Sequence, residues 1–156
     1  MPNTGGLPSG DMSDVRALVA NDHAYLRQLL DEATRASDTP GVRRDLVQQV
    51  GSAWATHSAA EETVLYPEAA ALFGVEPVEQ TERVQHVLDR LMTDLRGDAT
   101  SEQLSAVDQL LGEHVKLVET EILVPLHDRA PDRLGELAAR WAQATEASSG
   151  LTRPAD

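Results

Sequence analysis

The stretch THSAAEETVLYP, residues 56–67, contains the pattern that decides the fold. Its histidine, His57, and its carboxylate, Glu61, are four residues apart, and His57 itself follows the apolar Ala53 by four. Residues at this spacing share one face of a helix, so both polar side chains point towards the interior that Ala53 faces. The stretch ends at Pro67, and a proline inside a helix removes a backbone donor, so we expect the helix to be interrupted there. The pattern predicts a helix that directs an imidazole and a carboxylate into a shared core.

A second stretch, HVKLVETEILVP at residues 114–125, repeats this arrangement. Glu119 stands six residues before the proline, as Glu61 does in the first stretch, but His114 is one residue further from it. On an ideal helix Glu119 would lie about 140° from His114, whereas Glu121 would share its face. We therefore expect a local bulge that brings Glu119 round to the interior, with Glu121 as the other candidate. Two such copies indicate an approximate two-fold arrangement around a central site.

The composition favours helices and disfavours several kinds of partner. Of the 156 residues 41% are apolar but only 3% are aromatic, so Leu, Val and Ala must fill the core, which is typical of helical proteins. The net charge of -13 disfavours nucleic acid and anionic membranes as partners. Without cysteine the chain cannot form a disulfide, a thiolate zinc site or an iron–sulfur cluster. The first residues do not resemble a signal peptide and no stretch is long and apolar enough to span a bilayer, so we expect a cytoplasmic protein.

Glycine and proline divide the chain into helical segments. We expect a disordered head over residues 1–12, a single domain over 13–147 and a frayed tail over 148–156. Ser13 can cap the first helix, and Thr100 with Gln103 forms a capping-box pattern for the fourth. The predicted helices cover residues 13–35, 42–66 with a short continuation over 68–73, 77–96 and 100–123, with a shorter one from 131. Long helices joined by short loops predict an all-α, up-down-up-down four-helix bundle with a short extra C-terminal helix.

The histidines are distributed so that each long helix carries one: His23, His57, His86 and His114. His23 lies on the apolar stripe of the first helix, four residues after Val19 and three before Leu26. A buried polar group without a partner costs about 1–3 kcal/mol, and one shared metal ion would satisfy several imidazoles and carboxylates together. The joint pattern therefore predicts a metal site in the bundle core. The fifth histidine, His127, is expected in an exposed loop.

These residues resemble the hemerythrin family, including its bacterial HHE cation-binding domains, over about residues 13–127. The resemblance lies in Asn21-Asp-His23, in the run over 56–67 and in the run from Glu113 to Pro125. It implies a four-helix bundle that holds two non-haem irons bridged by oxygen. It also implies metal ligation by His23, His57 and His114, with Glu61 and Glu119 as bridging carboxylates.

The third helix departs from the oxygen-carrying members of that family, which have HxxxH where this chain has Glu82 and His86. The apolar stripe of this helix runs through Val84 and Leu88, and helical periodicity turns His86 roughly opposite to it. The resemblance nevertheless favours His86 as a ligand, which would require a bulge to re-phase the helix. Glu82 would then face the site too. Glu82, Glu121 and Tyr66 are therefore additional candidate ligands.

Three functions remain open at this point. The first is a non-haem di-iron protein that binds, senses or reacts with O2, nitric oxide or peroxide. The second is a di-iron oxidase or catalase-like enzyme, and the third is a structural or iron-sensing bundle with one metal or none. The chain contains no ExxH, HExxH, GxSxG or glycine-rich phosphate loop, so ferritin-like, zinc-protease, hydrolase and nucleotide-binding functions have no support. We expect a monomer or a weak homo-oligomer.

Overall fold

The computed structural model describes residues 13–152, and in this part of the chain every regular element is helical. The helices are α1 (Val15–Arg35), α2 (Pro40–Ala60), α3 (Tyr66–Phe73), α4 (Val75–Asp94), α5 (Ser101–Leu117), α6 (Val124–Arg129) and α7 (Leu134–Thr152). Two π-helical segments, the first at Glu61–Leu65 and the second at Val118–Leu123, join α2 to α3 and α5 to α6, and a short 3₁₀ turn, Pro131–Arg133, precedes α7. The predicted all-α fold is confirmed. The predicted disordered head, residues 1–12, lies outside the described residues.

The predicted interruptions at the two prolines are not breaks in the helices. Pro67 lies in the first turn of α3 and Pro125 in the first turn of α6, where a missing N–H costs little. Each π segment lies directly before its proline, so the chain changes helical register there without ending the helix. The segments from α2 to α3 and from α5 to α6 are therefore two continuous rods. With α1 and α4 they form the four-helix bundle.

The C-terminal helix is longer than the sequence pattern indicates. α7 has 19 residues, close to the 21 of α1, and packs against α1, α2 and the first π segment. Its apolar stripe, which includes Leu137 and Trp141, is buried in the core. An ion pair anchors its start, because Arg133 donates to both carboxylate oxygens of Glu68 on α3 at 3.0 and 3.1 Å. α7 is thus a fifth rod of the bundle.

Local chemistry explains where the helices begin. The N-cap of α1 is Asp14 rather than the expected Ser13, and its carboxylate accepts the backbone N–H of Arg16 at 2.9 Å. The capping box of Thr100 and Gln103 forms as predicted. Between α3 and α4 the chain turns at Gly74 with a φ of 91°, a conformation that L residues rarely adopt. No helix within residues 13–152 is both long and apolar enough to cross a membrane.

The core consists of two apolar clusters separated by polar side chains. The first cluster includes residues from the first half of α7 and contains Val19, Ala60 and Val118. The second cluster contains Leu26, Trp54 and Leu111. On α1, α2, α4 and α5 one or more buried polar residues stand between the residues that belong to the two clusters. Five of the buried polar residues, one of them in the first π segment, form what we call the polar layer: His23, His57, Glu61, Gln85 and His114.

Candidate metal centre

Four residues of the polar layer bring their donor atoms together at the middle of the bundle. α1 provides His23, α2 provides His57, the first π segment provides Glu61 and α5 provides His114. All four side chains are buried, and one ligand atom from each lies within 4.8 Å of the others. His57 and Glu61 meet because they are four residues apart on one helical rod, as the sequence predicts. His23 on α1 and His114 on α5 come close to them only because these two helices pack together with the rod that contains α2 and α3.

The carboxylate oxygen Oε2 of Glu61 is the centre of this group. It lies 3.0 Å from Nε2 of His114, 3.1 Å from Nε2 of His57 and 3.7 Å from Nε2 of His23. The three imidazoles therefore converge on one carboxylate oxygen. Three nitrogen donors and one oxygen donor at this separation form a donor set that suits Fe, Mn or Zn.

Several buried donor atoms in this group lack hydrogen-bond partners. Nε2 of His23, Nε2 of His57, Nδ1 of His114 and Oε1 of Glu61 are all inaccessible and form no hydrogen bond of good geometry, although both Nε2 atoms lie near Oε2 of Glu61. Each such group costs about 1–3 kcal/mol, and the protein interior has no reason to concentrate four of them. A cation bound between the Nε2 atoms and the carboxylate would provide a partner for several of these buried atoms at once. The residues present therefore fit a metal ion.

The charges in the group are unequally distributed. Burial lowers the pKa of His23 to about 4, so this imidazole is neutral and can donate a lone pair. Burial also opposes the charged form of His57, but the carboxylates of Glu61 and Asp22 outweigh it and raise the pKa of His57 to about 9. Burial would raise the pKa of Glu61, yet the nearby His57 and His114 hold it well below its ordinary range. Glu61 is thus an anion at the centre of the core.

Two tryptophans enclose the imidazoles. The indole of Trp54 lies 5.3 Å from the His114 ring and 5.9 Å from the His57 ring, between ring centroids. Trp141 of α7 lies 5.4 Å from His57 in an edge contact. Trp54 donates its N–H to the carboxylate of Asp89 at 2.7 Å. Both tryptophans therefore pack on candidate ligands.

On α4 the polar layer holds an amide instead of an imidazole. Gln85 is buried and accepts a hydrogen bond from the hydroxyl of Tyr66, while its Nε2 donates to Glu62 at 3.0 Å. Burial and the nearby carboxylate of Glu61 raise the pKa of Tyr66 above its usual range, so the phenol stays neutral. These hydrogen bonds connect Tyr66 through Gln85 to Glu62, and the hydroxyl of Tyr66 donates its proton to Gln85.

The remaining candidate ligands do not join the group. His86 is exposed on α4, which agrees with the helical periodicity of its stripe. Glu119 lies in the second π segment, where the expected bulge does form, but its side chain is exposed in a cleft that also touches His23. Glu121 is half-buried beside Gly74 at another surface. Glu82 is half-buried in a cleft beside Tyr66, and neither belongs to the group.

Two residues of the site escape the sequence pattern. Asp22 bonds to Nδ1 of His57 at 3.2 Å, a contact that requires α1 and α2 to be placed side by side. Gln85 could have been found, since Thr81, Gln85 and Leu88 follow each other at helical core spacing. A search for apolar stripes alone overlooks this face because two of its members are polar.

A helical bundle that buries three imidazoles around a carboxylate belongs to the class of metal-binding bundle proteins. The family model described as Hemerythrin HHE cation binding domain matches residues 14–127. The chain belongs to this family, and the buried group together with the family indicates metal binding. The match ends before α7, so this helix lies beyond the matched domain. Comparison with curated proteins and with solved structures gives no significant match.

Proposed function

We propose that this chain is a non-haem iron protein that takes up O2, nitric oxide or peroxide at the group of His23, His57, Glu61 and His114. The observation that carries the proposal is the convergence of three imidazole Nε2 atoms on the buried carboxylate of Glu61, where Nε2 of His23, Nε2 of His57 and Oε1 of Glu61 have no hydrogen bond of good geometry. Imidazole and carboxylate donors also suit zinc and manganese, and membership of the family favours iron. Iron bound by these residues would supply a redox-active Lewis acid.

The protein's own residues would hold the ion and limit access to it. The three imidazoles would donate lone pairs through Nε2, and Glu61 would supply the compensating negative charge. The two tryptophans exclude water from one side of the group. On another side an open cleft of about 580 Å³ between α1 and the second π segment reaches His23, and small residues such as Ala17 and Ala20 line it together with charged ones such as Arg27 and Glu119. A diatomic molecule or peroxide could approach by this cleft.

We propose one tightly held ion as the basic state, because the described residues place four donors close enough for one ion. A second ion, as the sequence resemblance implies, remains a second candidate. The observation in its favour is Oε1 of Glu61, which is buried and unpaired and could bridge to a neighbouring ion. Against it stand the exposed side chains of His86 and Glu119, which would have to move to complete a second donor set.

The test is iron content after anaerobic loading of the full chain with excess Fe²⁺ and removal of loosely bound metal. We expect about one iron per chain, with loss of that iron in a His114→Ala variant. Two irons per chain would favour the bridged centre, and none would overturn the proposal. Optical spectra before and after O2, nitric oxide or peroxide then distinguish reversible uptake from turnover. A change that reverses on removal of the gas indicates a carrier or sensor, and continuous consumption of peroxide or O2 indicates an enzyme.

A further inference from the structure

We propose that Asp22 is a positioning residue for His57: it holds the imidazole so that Nε2 is the nitrogen offered to the metal. This inference rests on the proposed metal centre and deepens it. The carboxylate oxygen Oδ2 of Asp22 lies 3.2 Å from Nδ1 of His57. Asp22 directly precedes His23 on α1, so one turn of α1 supplies both a donor to the group and a partner for another donor.

The direction of the hydrogen bond follows from the chemistry of the partners. An ionised carboxylate can only accept, so Nδ1 of His57 must carry the proton and donate it to Asp22. The other ring nitrogen, Nε2, then faces Oε2 of Glu61 at 3.1 Å. Metal-binding histidines commonly donate their second N–H to a carboxylate in this way, which orients the ring and makes the ligating nitrogen more basic.

His57 and His114 differ in this respect. Nδ1 of His114 is buried without a hydrogen-bond partner, so no carboxylate holds that ring through its outer nitrogen. The His57 ring is also confined by Trp54, which precedes it by three residues on α2, and by Trp141 of α7. The tryptophans restrict the plane of the ring, and Asp22 decides which nitrogen points inward.

Asp22 is partly exposed, so a substitution there should leave the packing of the core intact. Its side chain is 36% exposed and lines a polar cleft of about 680 Å³ between α1, α2 and α7, with His57 at its floor. Asp45 lines the same cleft from α2 and is exposed. It provides a matched control, because removing its charge changes the cleft's electrostatics while leaving the contact between Asp22 and His57 in place.

The first measurement uses the metal-free full chain and proton–nitrogen NMR of the histidine rings. We expect a downfield, slowly exchanging Nδ1–H signal from His57 in the unmodified protein and in Asp45→Asn. The signal should broaden or disappear in Asp22→Ala, since its acceptor is gone. Its persistence in Asp22→Ala would show that another group accepts this proton and would overturn the inference.

The second measurement is the affinity for Zn²⁺, obtained by competition with a chelator. Loss of such a carboxylate partner typically weakens metal binding about 10- to 100-fold, and we expect this for Asp22→Ala. Asp22→Asn, whose amide oxygen can still accept, should recover part of the loss, and Asp45→Asn should bind nearly as tightly as the unmodified protein. Equal losses in Asp22→Ala and Asp45→Asn would mean that Asp22 acts by charge alone, which contradicts positioning. An unmodified protein that binds no metal would instead overturn the proposed function, while the NMR result would still report on the contact.

Discussion

Nε2 of His114 lies 3.0 Å from Oε2 of Glu61, although the two residues are 53 positions apart in the chain. Both are fully buried, and they connect α5 to the rod that contains α2 and α3. A buried anion of this kind is stable only when cations or hydrogen-bond donors surround it. Glu61 therefore supplies the negative charge that stabilises the three converging imidazoles, and it would do the same for a bound cation.

Glu61→Gln should abolish tight metal binding while leaving a folded protein. The amide retains the size of the side chain but removes the negative charge and places N–H donors among imidazole nitrogens. We expect the affinity for Zn²⁺ to fall on the order of 100-fold or more. The metal-free protein should lose about 1–3 kcal/mol of unfolding free energy. Competition titration and urea unfolding measure the two effects. Glu62→Gln is the control, and equal affinities in both variants would contradict a central role for Glu61.

The histidines of α4 and α5 should respond differently to the same substitution. His114→Ala removes a buried donor of the group, whereas His86→Ala changes an exposed side chain. We expect His114→Ala to lower metal content to near zero and His86→Ala to leave it unchanged. Elemental analysis of both iron-loaded variants gives the answer. A loss of half of the metal in His86→Ala would show that α4 moves to complete a second ion site.

The fold could be predicted largely because its information is local. Apolar residues at helical spacing, glycine and proline punctuation and the capping box at Thr100 are each visible within a few neighbouring residues. The length of α7 could not be predicted in the same way. Its residues from 142 onwards are mostly small or polar, so no apolar stripe marks the continuation of the helix to Thr152.

The site was predictable only where ligands share a rod. His57 and Glu61 follow from a spacing of four, whereas the contact of Asp22 with His57 depends on how α1 and α2 lie together. For α4, periodicity placed His86 on the outer face and the family resemblance placed it in the site. The structure agrees with the periodicity, because Gln85 takes the inward position. A general family pattern does not determine the phase of one helix.

The stability of the metal-free protein should reach a maximum near pH 6.5. The pKa of His57 is raised to about 9 from 6.5, so its contribution is complete below pH 6.5 and is lost as the pH rises to 9. The pKa of His23 is lowered to about 4, so stability falls again as the pH drops from 6.5 towards 4. Urea unfolding in the presence of a chelator measures the curve. His57→Gln should flatten its alkaline side and His23→Gln its acid side. Stability that rises steadily from pH 6.5 to 9 would contradict these ionisation states.

Two glycines provide a matched test of backbone conformation. Gly74 has a φ of 91°, and Gly51 lies within α2; a methyl group added at either position would meet no atom within 4 Å beyond its immediate chain neighbours and the local helix backbone. Gly74→Ala should destabilise the protein by about 1 kcal/mol or more because alanine disfavours that φ. Gly51→Ala should stabilise it by about 0.5–1 kcal/mol, as alanine favours helix. Chemical unfolding of the two variants compares these values, and stabilisation by both would contradict the turn at Gly74.

Binding of a paramagnetic ion should quench the fluorescence of both tryptophans of the chain. Trp54 lies 5.3 Å from the His114 ring and Trp141 lies 5.4 Å from the His57 ring, so an ion held by these imidazoles is close to each indole. Co²⁺ titrated into the metal-free protein should therefore remove most of the emission, whereas diamagnetic Zn²⁺ should change it less. In Trp54→Phe the remaining signal comes from Trp141 alone, since the chain has 2 tryptophans. Quenching should persist in this variant at the same Co²⁺ concentrations and disappear when His114→Ala is added. If the emission of Trp141 did not change when Co²⁺ was bound, α7, the helix beyond the matched domain, would not cover the metal centre.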